Sequence, residues 1–128
     1  MHIKPYNEAD DADALFALMR SEEEWAEYSA GDEAVRKYKN ALRNSIVFVA
    51  YDDGMICGFV RAKDDDGFGV YILDLLVHKT KRGNGYGRLL MERVKQDFIT
   101  PVYVMSDVDG YYLKQNYTKH GSIFTVTQ

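Results

Sequence analysis

Glycines alternate at positions 83, 85 and 87 in "RGNGYGR", between the apolar run "VYILDLLVH" and the amphipathic run "GRLLMERVKQDF". Each glycine raises the entropy lost on folding, so such a triplet makes a poor plain connector. As the joint between a strand and a helix it has another use. It lets the backbone turn tightly with its N–H groups converging on one small volume, and the positive end of the following helix adds its own pull on an anion, most readily a phosphate. Lys79, Lys81, Arg82 and Arg88 surround that volume in a chain whose formal charge is −4. Strand, glycine turn and helix in this order belong to a layered α/β structure.

The rest of the chain supplies the other layers. After an opening strand, "MHIKPY", the run "NEADDADALFALMR" places Ala12, Leu15, Phe16 and Met19 on one helical face, with Asn7 or Asp10 as the cap. "SEEEW" offers a capping box from Ser21 to Glu24, Gly31 closes that segment, and Asp32 is placed to cap the next. Ala34, Val35, Tyr38, Ala41 and Leu42 form a second amphipathic helix. The texture then changes to β-branched and aromatic runs, "SIVFVAY" and "MICGFVRAK", joined by Asp53-Gly54, a hairpin signal. Beyond the glycine loop, Tyr86, Leu90, Val94 and Phe98 keep helical spacing. "PVYVM" reads as a strand, "DGYYLKQNY" as a short helix and "SIFTV" as a last strand. No repeat, low-complexity stretch or linker interrupts residues 1–128, so one domain is expected.

Composition narrows the function. Hydrophobic residues make up 46% and charged residues 28%, ordinary for a soluble globular protein. No apolar run is long enough to span a bilayer and the start lacks a signal-peptide pattern, so a cytoplasmic location is expected. A net negative charge argues against a dedicated nucleic-acid binder. The lone cysteine, Cys57, excludes an internal disulfide and a thiolate-rich zinc site, and no metal is expected. It reads as a buried structural thiol, because nothing in the spacing of His2, His78 and His120 nominates a partner for a nucleophile.

Two common phosphate loops do not fit. A Walker A loop needs Lys-Ser or Lys-Thr after its last glycine, and Gly87 is followed by Arg88 and Leu89. A dinucleotide fingerprint needs Gly-x-Gly-x-x-Gly near the first strand, and the spacing here is Gly-x-Gly-x-Gly past the middle of the chain. Arg82-Gly83-Asn84-Gly85-Tyr86-Gly87 instead resembles the acyl-coenzyme A loop of the GNAT superfamily of N-acetyltransferases: Gln or Arg, two residues, Gly, one residue, then Gly or Ala. "LDLLVHKTKRGNGYG" is similar to that family's strand and loop, and "GYYLKQNY" to its late Phe-Tyr-x-Lys-x-Gly-Phe segment, with Asn116 in place of the glycine. Asparagine tolerates left-handed geometry, so the turn survives the change.

The resemblance implies an α/β (α+β layered) fold of GNAT type: a mixed, mostly antiparallel sheet flanked by helices, with a splayed central strand. It implies acetyl-coenzyme A as co-substrate, its pantetheine arm held by backbone groups of Leu75, Leu76 and Val77. The diphosphate would lie on amides of Arg82, Gly83, Asn84, Gly85, Tyr86, Gly87 and Arg88. It further implies direct transfer of an acetyl group to a primary amine in a ternary complex, with Tyr112 as the acid for the departing thiolate. Asp74, just before the pantetheine-binding run, is the candidate base; a structural role for it and deprotonation through water are the alternatives. "PVYVM" to "YYLK" is a short link lacking the family's frequent asparagine, and it holds Asp107 and Asp109 instead.

Glu22, Glu23, Glu24, Trp25, Glu27 and Tyr28 suit a cationic amine acceptor, though a solvated helix face has the same composition. The partners expected are thus a small-molecule or peptide amine, with a homodimer possible on the same resemblance, and neither nucleic acid nor membrane. A non-catalytic acyl-coenzyme A-binding or regulatory module is the alternative function.

Overall fold

The computed structural model describes all 128 residues, Met1–Gln128. In chain order the elements are β1 (His2–Pro5), α1 (Glu8–Arg20), a 3₁₀ segment (Glu23–Tyr28), α2 (Asp32–Arg43), β2 (Ile46–Asp52), β3 (Met55–Asp64) and β4 (Val70–Val77). A short 3₁₀ turn (Lys79–Lys81), α3 (Tyr86–Gln96), β5 (Val102–Val104) and α4 (Asp109–Leu113) complete them. The five strands form one sheet in the order β1-β2-β3-β4-β5. All pairs are antiparallel except β4 with β5, which is parallel. The mixed, mostly antiparallel sheet with flanking helices is the expected architecture.

Each face of the sheet buries its own apolar cluster. Leu15, Phe16 and Met19 of α1 and Tyr38 and Leu42 of α2 meet Val47, Val49, Phe59 and Leu76 on one face. Leu90, Met91 and Val94 of α3 meet Phe48, Ala50, Val60, Val70 and Ile72 on the other, together with Cys57. Cys57 is the buried thiol expected, its Sγ 3.4 Å from the Ala50 carbonyl oxygen. No helix is long and apolar enough to cross a membrane.

Local signals were obeyed where the partner is a near neighbour. Asn7 is the N-cap of α1, its side chain accepting from the Asp10 N–H. Asp53 and Gly54 both have positive φ, 51° and 76°, which the two-residue turn between β2 and β3 requires. Two capping assignments need correction. Ser21 closes α1, its hydroxyl donating to the Leu18 carbonyl, so it makes no capping box with Glu24. The cap of α2 is Gly31, at φ 95°, and Asp32 is the first helical residue. "SIFTV" forms no strand: residues 122–126 carry no regular structure, with Ile123, Phe124 and Val126 exposed. Strand propensity expresses fit to a pleated, half-covered surface, and here these side chains stay exposed with no strand paired to the segment.

The irregularity that shapes the site lies in β4. Arg61 pairs with Asp74 and Ala62 with Ile72, so Leu73 has no partner across the ladder. Such a bulge reverses the parity of every residue after it. Before it Val70 and Ile72 point to the α3 face; after it Leu75 and Val77 do, while Asp74 and Leu76 point to the face covered by α1 and α2. Pairing with β5 covers only Val70, Tyr71 and Ile72 and closes with the Met105 N–H on the Ile72 carbonyl at 3.0 Å. From Leu73 onward the two strands part, which is the splay expected of the central strand.

Candidate active site

Parting leaves one edge of β4 open. His78 donates to the Cys57 carbonyl at 2.7 Å, and antiparallel alternation then turns the backbone groups of His78 and Leu76 toward β3. Those of Leu75 and Val77 face the open side. Of the three residues expected to hold an extended ligand, two therefore present their backbone to it and Leu76 is committed to the sheet. The Val77 carbonyl accepts from Arg82 Nε at 3.1 Å, leaving the Val77 N–H and both groups of Leu75 available.

The open edge runs into the glycine loop. Arg82, Gly83, Asn84 and Gly85 donate no backbone hydrogen bond within the protein, and the first bond of α3 runs from the Leu89 N–H to the Gly85 carbonyl at 3.1 Å. The N–H groups of Tyr86, Gly87 and Arg88, in the first turn, lie beyond the reach of any carbonyl of their own helix. An unbroken series of unpaired donors thus meets the positive end of α3, as an anion seat requires. These residues fit the diphosphate of an acyl-coenzyme A.

The three glycines serve different ends. Gly83 and Gly85 each have φ 82°, in the left-handed region, and a Cβ on either would meet nothing within 4 Å. Their need is conformational. Gly87 is helical, but a Cβ there would collide with the Tyr111 hydroxyl, with Leu75 Cδ2 also in contact. Side chains around the loop are mostly tied down. Arg82 reaches Glu22 at 2.7 Å, Lys81 and the Tyr86 hydroxyl both meet Asp52 at 3.0 Å, Asn84 donates to the Lys81 carbonyl, and Arg88 pairs with Glu92. The hydrogen bond to Asp52 is also the main reason the Tyr86 phenol is pushed above its ordinary pKa. Lys79 has no ion-pair partner. The loop's side chains are thus anchored to β2, α3 and the residue before the 3₁₀ segment, while its backbone N–H groups stay unpaired.

Asp74 sits on the opposite face of β4 from Tyr112. Its Oδ2 accepts from the Tyr38 hydroxyl at 2.7 Å and from Arg61 Nε at 2.6 Å, with little exposure on either side of the ion pair. Oδ1 has no protein donor. The Tyr38 phenol is driven far above its ordinary pKa by burial and then by the Asp74 charge, so it stays protonated and donates to the carboxylate. Aromatic rings continue from it: Tyr38 to Tyr28 at 5.4 Å and Tyr28 to Trp25 at 5.6 Å, and Trp25 packs back on the buried Phe59 at 5.8 Å. Of the acidic residues expected near an acceptor, Glu22 is engaged by Arg82. Glu23, Glu24 and Glu27 are exposed and unpaired.

Tyr112 is half-buried on α4, its ring stacked on Tyr117 at 6.5 Å and edge-on to Tyr111 at 5.0 Å. Burial, then the neighbouring Tyr111, Asp107 and Tyr117, push its phenol up to about 12. With Ile72, Leu73, Met105 and Met91 it lines a cleft of about 1040 Å³ that opens where β4 and β5 part. Asn116, with φ 64°, takes the left-handed turn expected of it. Asp109 is held by Ser106 and Lys119, while Asp107 has no partner. No group of acidic, histidine or cysteine side chains is arranged to hold a metal ion. The sequence does not single out Arg61 and Tyr38, which meet Asp74 only because of the bulge, or Tyr111, whose hydroxyl approaches Gly87.

Comparison with known proteins agrees with this geometry. The model of the acetyltransferase (GNAT) domain matches residues 43–121. An uncharacterized N-acetyltransferase, ycf52, of Pyropia yezoensis is 28% identical over 96 residues, a match that takes in 66% of this chain and 55% of that protein. The chain thus spans little more than half the length of this relative. Among solved structures, a ribosomal-protein-alanine N-acetyltransferase from Brucella melitensis biovar Abortus 2308 superposes with a TM-score of 0.73 at 19% identity, covering 100% of both chains. An aminoglycoside acetyltransferase from an uncultured soil metagenomic sample, in complex with sisomicin, gives 0.74 at 23% identity, covering 99% of this chain and 95% of that one. Those structures speak to the fold. The domain match, running from the end of α2 through the glycine loop and α4, speaks to descent: this chain belongs to the GNAT acetyltransferase family.

Proposed function

We propose that the chain transfers an acetyl group from acetyl-coenzyme A to a primary amine, directly and within a ternary complex. One observation carries the reading: the open edge of β4 at Leu75 and Val77 is followed, one 3₁₀ turn further along the chain, by the series of unpaired N–H groups from Arg82 to Arg88. A ligand that is extended at one end and a diphosphate at the other matches both parts. Acetyl-coenzyme A supplies an activated thioester when bound. Leu75 and Val77 hold its arm through their backbone, and the loop amides hold the diphosphate.

Transfer forms a carbon–nitrogen bond, breaks the carbon–sulfur bond and moves a proton from the amine side to the sulfur side. Tyr112 gives the proton to the departing sulfur. A phenol pushed up to about 12, chiefly by burial, is fully protonated at neutral pH. Asp74 takes the amine's proton on its free Oδ1, either directly or through water, while Arg61 and Tyr38 fix the carboxylate through Oδ2. The acceptor enters past Trp25 and Tyr28, whose rings and neighbouring carboxylates favour a cation. The sisomicin complex of the soil-metagenome relative makes a small polycationic amine the first acceptor to try.

A second reading, a module that binds acyl-coenzyme A without turning it over, is favoured by the commitment of Asp74 to Arg61. An amine panel separates the two. For the enzyme, acetyl transfer is measurable, and Tyr112→Phe lowers kcat about 100-fold while coenzyme A affinity by calorimetry is unchanged. Tight binding with no turnover across the panel would leave only the module.

A further inference from the structure

We infer that Tyr111, the tyrosine beside the one the family motif points to, contacts the arm of the acyl carrier and contributes to its binding. This rests on the reading of the carrier site given above. Its observation is separate: the phenol of Tyr111 lies in the gap between the first turn of α3 and the open edge of β4. The Tyr111 hydroxyl occupies the place a Gly87 side chain would take, and Leu75 Cδ2 borders the same spot. Gly87 belongs to the anion seat and Leu75 to the open edge. Any molecule that lies on both has to cross this gap.

Chemistry agrees with position. Both tyrosines leave α4 side by side, yet Tyr112 turns inward and packs on Tyr117, whereas Tyr111 remains 43% exposed. The Tyr111 hydroxyl makes no hydrogen bond within the protein, although it stands beside a helix turn with unpaired N–H groups. A phenol has one proton to donate and lone pairs to accept with, and the arm of coenzyme A offers amide and hydroxyl partners along its length. Tyr111 therefore bonds the arm, and Tyr112 behind it is left to the proton transfer. Gly87 is small on this view because Tyr111 must reach the gap.

The test is binding, not turnover. Coenzyme A is titrated calorimetrically into the wild-type chain, Tyr111→Phe and Tyr111→Ala. Adenosine diphosphate, which carries a diphosphate but no arm, is titrated in parallel. Loss of the hydroxyl alone weakens coenzyme A about fivefold, and loss of the ring weakens it further; adenosine diphosphate affinity and the melting temperature of Tyr111→Phe stay at wild-type values. Unchanged coenzyme A affinity in Tyr111→Phe, with normal wild-type binding, overturns the assignment and leaves the proposed activity standing. Equal losses for both ligands overturn it too, because the effect would then reach the seat and not the arm. Failure of the wild-type chain to bind coenzyme A overturns both.

Discussion

Two alanine substitutions two residues apart should move stability in opposite directions. Gly85 lies at φ 82° with open space where its Cβ would go, so Gly85→Ala meets no clash and pays only for backbone strain. Holding an L-residue in the left-handed region costs about 1–2 kcal/mol, and the stiffer unfolded chain returns about 0.4–1 kcal/mol, for a net loss of about 1 kcal/mol. Gly87 is helical. Alanine is preferred there by up to about 1 kcal/mol, less at a helix's first turn, and the obstructing Tyr111 hydroxyl is the far end of an exposed side chain that can rotate away. The net gain is about 0.5 kcal/mol. With an unfolding entropy of about 2.1 cal/mol/K per residue, the melting temperature falls about 4 °C for Gly85→Ala and rises about 2 °C for Gly87→Ala. Thermal unfolding followed by circular dichroism measures both. A neutral or stabilising Gly85→Ala would refute the left-handed loop, and a Gly87→Ala more damaging than Gly85→Ala would mean that Tyr111 is fixed in its gap.

Asp74→Asn removes the counter-charge of a mostly buried Arg61 and costs about 2 kcal/mol in urea unfolding; a change within 0.5 kcal/mol of zero would contradict the ion pair. Asp11 is buried, and burial raises its pKa. Bonds from Lys4, the Asn7 N–H and the Tyr51 hydroxyl overcome that and hold it below the usual carboxylate range. A depressed folded pKa gives stability that is complete above the unfolded value of about 4 and is lost as pH falls through the folded one. Asp11→Asn should accordingly be less stable than wild type at pH 7, with the gap narrowing below about pH 4 in acid titrations monitored by fluorescence; a gap that widens on acidification would reverse the sign of the argument.

How much of this was legible in the sequence depended on how far away the deciding partner lies. The glycine loop, α1, α2, α3 and the β2–β3 hairpin are set by spacing and by residues within a turn or two, and they formed where the pattern put them. Ser21 caps the end of α1 and not the start of the next segment, and Asp32 lies one residue inside α2, because either end of a helix can use the same polar side chain. "SIFTV" has the letters of a strand, but pairing needs an edge that only the folded sheet could offer. The bulge at Leu73 is the instructive case. No local letter marks it; it arises from how β3 and β4 match after Arg61, and it decides which side of the sheet every later residue of β4 faces. By shifting parity it turns Asp74 toward Tyr38 and Arg61 and turns Leu75 toward Gly87 and Tyr111. Placed by alternation from Val70 without the bulge, Asp74 would share the α3 face with Val70 and Ile72, and Leu75 would lie on the other side. One unpaired residue thus sorts the Asp74 side chain to the face covered by α1 and α2 and the Leu75 side chain to the face covered by α3, on either side of the place where β4 and β5 part.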